Sequence, residues 1–317
     1  MLVTKDERHK RRMVVDYSQT INRFTVVDAY PLPKIDEQVN NLAQCSWFSP
    51  LDLKSAYYQI SINPEDKIYT AFEANGKLYQ YWRLPFDGTN GVSAFQRIID
   101  RLISQNKLKG TYAYLDNITI GGTDRRDHDI NLERFLLAAA RVCLTFNEAK
   151  SVIAAPQIDI LGCRVSHGTI KPDPERLHPL LELPLPSSPK ELKRALGMFA
   201  YYAPWIRNFS AKLKPLTAER LTFPLRNDAV KAFEDLRSGL LHASLACIND
   251  HESFTVECDA SHFAVAAILN QSGRLVAFMS RRLSRTECKC PTVEKEATSI
   301  WKQSANGVII CTPVLLR

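Results

Sequence analysis

The 317-residue chain is 45% hydrophobic and 24% charged, the balance of a globular protein with room for about two domains. No run of eighteen apolar residues is present, so no membrane-spanning helix is expected, and the opening MLVTKDERHKRR carries charge with no apolar stretch behind it, unlike a secretory signal. The formal net charge of +7 permits a nucleic-acid partner without requiring one, and the eight scattered cysteines fit neither zinc nor thioredoxin spacing, which implies reduced intracellular thiols.

In chain order, a basic block containing Lys5, Arg8, Lys10, Arg11 and Arg12 precedes a short apolar strand over residues 13–17. Lys5 and Arg12 flank a turn on the near side of that strand. They are either a mobile basic terminus or a pair suited to a polyphosphate, since Arg offers a planar fork and Lys a point charge. The prolines of YPLP at 30–33 stop regular structure. A helix over 35–42 follows, with Ile35, Val39 and Leu42 at helical spacing. Residues 47–58, WFSPLDLKSAYY, form an apolar strand interrupted by one acid, Asp52, that leads into a turn or short helix. An acid among apolar neighbours is costly to bury unless it is paired or metal-bound. The alternative for Asp52 is an N-cap of the next turn.

Strands are predicted over 60–62, 69–72 and 78–84, with a turn at Asn75-Gly76. The loop 86–91 then leads into a helix over 92–103 that carries Phe95, Ile98, Ile99 and Leu102 on one stripe. The next segment, TYAYLDNITI at 111–120, reads as strands 112–115 and 118–120 joined by Asp116-Asn117. Those two residues suit a tight turn. The tip is then either an ordinary polar hairpin or a carboxylate and a carboxamide raised to hold a hard cation through oxygen. A helix over 127–142 follows, and then another hairpin strand over 158–165, with a glycine where a backbone approaches closely. After Pro172 the texture becomes helical. Ser188, Pro189 and Glu191 form a capping-box start for a helix reaching Tyr202, with Lys190, Lys193 and Arg194 on it, and further helices are expected over 211–221 and 228–241. Strands return at 254–260, 264–270 and 275–280, with Asp259 near the end of the first. A helix starting at 292 bears Glu294 and Glu296.

The ordered series YPLP, WFSPLDLKSAYYQI, TAF, RLPF, AFQR, YLDN and ILG resembles the reverse transcriptase of Gypsy-type LTR retrotransposons. ELKRALGMFAYYAPWIRNFS with KPLT is similar to the region that follows it, and FTVECDAS, SRRLSRTE and TVEKEA are similar to the start of ribonuclease H in the same polyproteins. The resemblance implies an α+β right-hand polymerase with fingers, an antiparallel palm sheet and a helical thumb-like region, followed by an incomplete ribonuclease H-like α/β domain. The implied domains are 1–168, 169–222 and 223–317. Asp52 and Asp116 would be catalytic ligands for two Mg²⁺, with Asn117 beside them. Tyr57 matches the aromatic residue under the nucleotide sugar, Phe86 lies in the same pocket, and Arg12 and Lys5 match residues that hold the triphosphate. Leu161-Gly162 matches the primer-grip turn. Asp259 and Glu296 match ribonuclease H metal ligands, Glu294 being the weaker alternative. The implied partners are an RNA or DNA template with primer and deoxynucleoside triphosphates, with no membrane. The implied location is intracellular, cytoplasmic in a retroelement particle or nuclear.

The chain departs from that pattern at several positions. The family has two acids at the hairpin tip where this chain has Asp116 and Asn117, which weakens the expected metal binding. Asp87 stands where a glycine follows Pro-Phe and adds negative charge beside a triphosphate. Val92 replaces a proline, and Ser18 an arginine. The ribonuclease H match stops after Trp301, so that activity is expected to be absent and the chain to be a fragment or a decayed element. The competing expectation to an RNA-directed DNA polymerase is thus a remnant that binds nucleic acid without catalysis.

Overall fold

The computed structural model describes residues 2–7, 10–218, 221–249, 251–284, 286–291 and 294–295. Two compact units divide between Ile158 and Asp159. Among the described residues no helix is long and apolar enough to cross a membrane.

The first unit opens with an antiparallel pair, β1 (Leu2–Glu7) and β2 (Lys10–Val15). Helix α1 (Ile35–Ala43) leads to β3 (Trp47–Asp52). The small hairpin β4 (Phe72–Ala74) and β5 (Lys77–Tyr79) turns at Asn75-Gly76. Helix α2 (Gly91–Gln105), strands β6 (Thr111–Tyr114) and β7 (Asn117–Gly122), and helix α3 (Arg125–Arg141) complete it. The sheet order is β3-β7-β6, all antiparallel.

Alternation along these strands decides which face is which. Leu51, Ala113 and Ile118 stand directly opposite one another and pack, with Ile120, against Phe95, Ile99 and Leu102 of α2 and Phe135, Ala138 and Ala139 of α3. The other parity puts Asp52, Asn117 and Tyr114 together on the reverse side. In β7 every residue after Asn117 is buried, so the exposed hairpin tip leads directly into a covered central strand.

The second unit begins on the hairpin of β8 (Gln157–Ile160) and β9 (Cys163–Ser166), whose sheet runs β11-β10-β9-β8 with β10 (Thr169–Pro172) and β11 (Leu245–Ala246). Helices α4 (Pro174–Leu181), α5 (Pro189–Tyr201), α6 (Phe209–Leu213) and α7 (Asn227–Leu241) enclose one core, in which Phe199 meets Phe233 edge to face at 5.4 Å. The Ser188 side chain accepts from the Glu191 N–H, and Glu191 reaches back to Ser187, so the expected cap is present. A meander, β12 (Phe254–Ala260), β13 (Ala264–Gln271) and β14 (Arg274–Arg282), follows, and a 3₁₀ turn over Glu287–Lys289 comes after it.

Several local expectations are corrected. Residues 64–70 form a 3₁₀ helix, started by Pro64 with Glu65 and Asp66 in its first turn, where strand character was expected from 69. Residues 60–62 keep only a bridge between Ser61 and Arg83, and the strand expected over 78–84 is confined to β5. The helix expected over 211–221 breaks at Lys214 into a 3₁₀ turn because Pro215 cannot donate the next hydrogen bond.

Candidate active site

Asp52 is the last residue of β3, and its register partner is Asn117, the first residue of β7. Asn117 in turn pairs with Tyr114. The reversal is made by Leu115 and Asp116, one residue earlier than the Asp-Asn turn expected from composition. Leu115 has φ 56°, a left-handed conformation that costs a branched side chain about 1–2 kcal/mol. Asp116 and Asn117 are both exposed. The two carboxylates of Asp52 and Asp116 thus belong to adjoining positions at one edge of one sheet.

The backbone of Asp52 is fixed from the opposite side by the segment 147–151. The Asn147 N–H donates to the Asp52 carbonyl at 2.8 Å, and the Asp52 N–H donates to Ser151 Oγ at 3.1 Å. Lys150 Nζ lies 4.0 Å from Asp52 Oδ2, with both groups partly exposed. Composition gave no hint of these three residues, because they act on Asp52 from about a hundred positions away.

Tyr57 lies on the 3₁₀ turn Ala56–Gln59, which Ser55 enters with φ 54°. Its ring meets Phe86 at 5.3 Å and Phe95 at 5.5 Å. Burial, and then the charge of Asp116, raise the Tyr57 phenol above its usual range. Phe86 is held edge-on by Tyr58 as well, at 5.1 Å, and Tyr58 stacks on Tyr81.

Asp87 has φ 70°, a conformation that Asp tolerates better than most residues. Its carboxylate accepts the Tyr17 N–H at 2.8 Å, and its carbonyl accepts from Asn22 Nδ2 at 2.7 Å. The acid is thus engaged with the chain that leaves β2. On that hairpin Lys5 and Arg12 are direct register partners.

At the far end of the sheet Ser49 Oγ and His128 Nε2 are 2.8 Å apart, and His128 Nδ1 is 2.9 Å from Asp129 Oδ1. The order Ser, His, Asp is that of a nucleophilic triad. Ser49 and His128 are both 0% exposed, however, so no substrate can approach the hydroxyl. Ser49 Oγ also accepts the Ala154 N–H at 2.9 Å. The group acts as a strut joining β3, α3 and the segment after it.

Asp52, Asp116 and Asn117 suit a hard divalent cation in kind, because all their donors are oxygens. They fall short in charge, because among the described residues no three His, Cys, Asp or Glu side chains gather as a metal group, and the third donor here is an amide. In the second unit the Leu161-Gly162 turn has φ values of 52° and 85°, a primed hairpin turn, and it is backed by Arg176 and Tyr201. Asp259 stands exposed near the end of β12. Glu294 is exposed, and Glu296 lies outside the described residues.

Residues 3–165 match the family described as Reverse transcriptase (RNA-dependent DNA polymerase), and residues 225–305 match one described as RNase H-like domain found in reverse transcriptase. The Retrovirus-related Pol polyprotein from transposon opus of Drosophila melanogaster is 34% identical over 311 residues, covering 91% of this chain and 31% of its own length. The corresponding polyprotein from transposon gypsy is 29% identical, with 92% and 30% covered. The chain therefore spans about a third of the length of these two relatives. The foamy viral protease-reverse transcriptase in complex with dsDNA shares the fold at a TM-score of 0.86 and 22% identity, over 98% of this chain and 67% of that one. A second foamy viral structure, the protease-reverse transcriptase dRH with ds DNA, gives 0.85 and 23%, over 97% and 55%. On the match that runs from residue 3 to residue 165, through the Asp52 strand and the Asp116 hairpin, this chain belongs to the reverse transcriptase family.

Proposed function

We propose that the chain is the RNA-directed DNA polymerase part of a retrotransposon Pol polyprotein, extending a primer 3′ hydroxyl by nucleotidyl transfer. The observation that carries this reading is the meeting of Asp52 with the Asp116-Asn117 tip at one sheet edge. We assign residues 1–168 to fingers and palm, 169–222 to a thumb-like region and 223–317 to the connection and ribonuclease H-like part.

Two Mg²⁺ held by Asp52 and Asp116, with the Asn117 carbonyl as a neutral third donor, would supply Lewis-acid stabilisation of the primer oxygen and the nucleotide phosphates. The chain's own residues do the positioning. Tyr57, wedged between Phe86 and Phe95, presents a flat wall to the sugar and leaves no space for a 2′ hydroxyl. Lys5 and Arg12, register partners across β1 and β2, are assigned to the triphosphate, for which their residue types offer a point charge and a planar fork. Asp87 spends its carboxylate on the Tyr17 N–H, so its charge is turned toward the backbone rather than toward the nucleotide. The partners are a primer on an RNA or DNA template and deoxynucleoside triphosphates, in the cytoplasmic particle of the element or in the nucleus.

The test is primer extension on an RNA template with Mg²⁺. The wild-type chain extends the primer, and Asp52→Asn and Asp116→Asn each lose at least about 100-fold. Extension that persists in both variants sinks the assignment. Asn117 favours a second reading, a remnant that binds primer–template without catalysis. Salt-dependent binding with no extension in the wild type, and extension gained on Asn117→Asp, would select it.

A further inference from the structure

The two-residue turn that carries Asp116 is not held by its own sequence. Leu115 sits in a left-handed conformation that a glycine would adopt without cost and that a leucine resists. What holds it comes from α2. Gln96 is 0% exposed, and its carboxamide spans the hairpin: Oε1 accepts the Leu115 N–H at 2.8 Å, and Nε2 donates to the Ala113 carbonyl at 3.2 Å. One side chain therefore grips the incoming strand and the turn together.

The carboxamide can be oriented only one way. Nε2 also donates to Asp100 Oδ1 at 2.9 Å, one helical turn along α2. A flipped amide would set its oxygen against that carboxylate and the Ala113 carbonyl, and its nitrogen against the Leu115 N–H. Asp100 is itself fixed, because the Tyr30 hydroxyl donates to Oδ2 at 2.7 Å. Arg97 lies over the Tyr30 ring at 4.9 Å and pairs with Asp28 at 2.7 Å. The line thus runs from Tyr30, on the segment between β2 and α1, through Asp100 and Gln96 to the backbone next to Asp116.

We propose that Gln96 is the positioning residue for the Asp116 carboxylate, its amide locked by Asp100 and Tyr30 so that the Leu115-Asp116 turn keeps the backbone that presents the carboxylate beside Asp52. The inference rests on the polymerase reading above for its catalytic consequence and on hydrogen bonding alone for the clamp. Gln96 touches neither substrate nor cation. It acts only through the turn.

The test separates these two layers. Gln96→Met keeps the length of the side chain and removes both hydrogen-bonding ends. Its kcat for primer extension falls roughly 10- to 100-fold, as misplacement by a fraction of an ångström would cause, while KM for the nucleotide and Kd for primer–template stay within about threefold. In the same variant the Leu115 amide loses hydrogen-exchange protection at least about tenfold, with amides of β3 unaffected. Asp100→Leu moves kcat and Leu115 exchange in the same direction, and Asp100→Asn, which keeps an acceptor for Nε2, moves them less. An unchanged Leu115 exchange rate in Gln96→Met overturns the clamp. A lost clamp with kcat unchanged, or a fall in kcat, KM and Kd together with protection lost across the whole sheet, overturns the positioning role. A wild-type chain that never extends a primer overturns the polymerase reading and with it the catalytic consequence, while the exchange measurement still decides the clamp.

Discussion

Asp52 and Asn117 face each other across β3 and β7, the last register pair of that ladder. Opposed like charges in such a pair cost about 0.2–1 kcal/mol, and opposed unlike or neutral groups do not. Asn117→Asp therefore has two consequences of opposite sign. Without divalent cation the variant melts lower than wild type, because three carboxylates crowd one tip. With Mg²⁺ the order reverses, and cation affinity rises at least about tenfold through the added charge. Thermal melts with and without Mg²⁺, beside the extension assay, check both, and a variant indifferent to the cation contradicts the metal-binding role proposed for the tip.

Ser49 and His128 predict a stability effect remote from the chemistry. Ser49→Ala leaves the His128 ring nitrogen and the Ala154 N–H without their common partner. A buried polar group left unpaired costs about 1–3 kcal/mol, so the urea midpoint drops by an amount equivalent to roughly 2 kcal/mol at constant slope. A loss below about 0.5 kcal/mol contradicts the strut.

Alkaline titration tests the environment of Tyr17. Burial first, and then the nearby Tyr58 and Asp87, push its phenol from the usual 10.0 up to about 12, and its hydroxyl donates to the Thr70 carbonyl at 2.8 Å. The folded value lies above the unfolded one, so the associated stability is complete below pH 10 and is lost as pH rises toward about 12. Tyr17→Phe removes that part of the alkaline fall and costs about 1 kcal/mol near neutrality for the lost hydrogen bond. Unfolding free energies from about pH 8 to about pH 12 on both proteins decide it; parallel curves refute the assignment.

Gly162→Ala is predicted to fail for two reasons. Its φ of 85° is strained for any side chain, and a methyl group would come within 3.1 Å of Arg176 Nη1 and 3.3 Å of Tyr201 Oη. The expected cost is about 1 kcal/mol in the urea midpoint, with weaker primer–template binding if this turn is the primer grip that the resemblance implies. Wild-type stability in the variant would place the turn elsewhere.

The sequence carried the long helices and both acids openly. Helices near 35–42, 92–103 and 127–142 announce themselves by apolar stripes at 3.6-residue spacing, and the structure starts or ends them within two residues. Asp52 was visible as a charge inside an apolar run. The hairpin turn was misplaced by one residue for an instructive reason. Asp-Asn has better turn chemistry than Leu-Asp, but Gln96, a contact about twenty residues back, imposes the turn on Leu115. Gln96 borders the apolar stripe of its helix rather than lying on it, so nothing in the spacing marks it as buried. The role of Asp87 was illegible, since nothing local reveals that its carboxylate turns to Tyr17. Ser49 and His128 were illegible for the same reason, being 79 residues apart.

Two glycines at the base of the β6–β7 hairpin bear on the same site. A side chain at Gly122 would run into the His128 backbone, and one at Gly110, which also has φ 57°, into the Gly121 carbonyl and Asn131. Neither position has anything to do with cations or nucleotides, yet either one, once altered, would pry the sheet apart beneath intact acids. Members of this family sorted into competent and defunct by their carboxylates alone would be misfiled. The census has to include the places where no side chain fits.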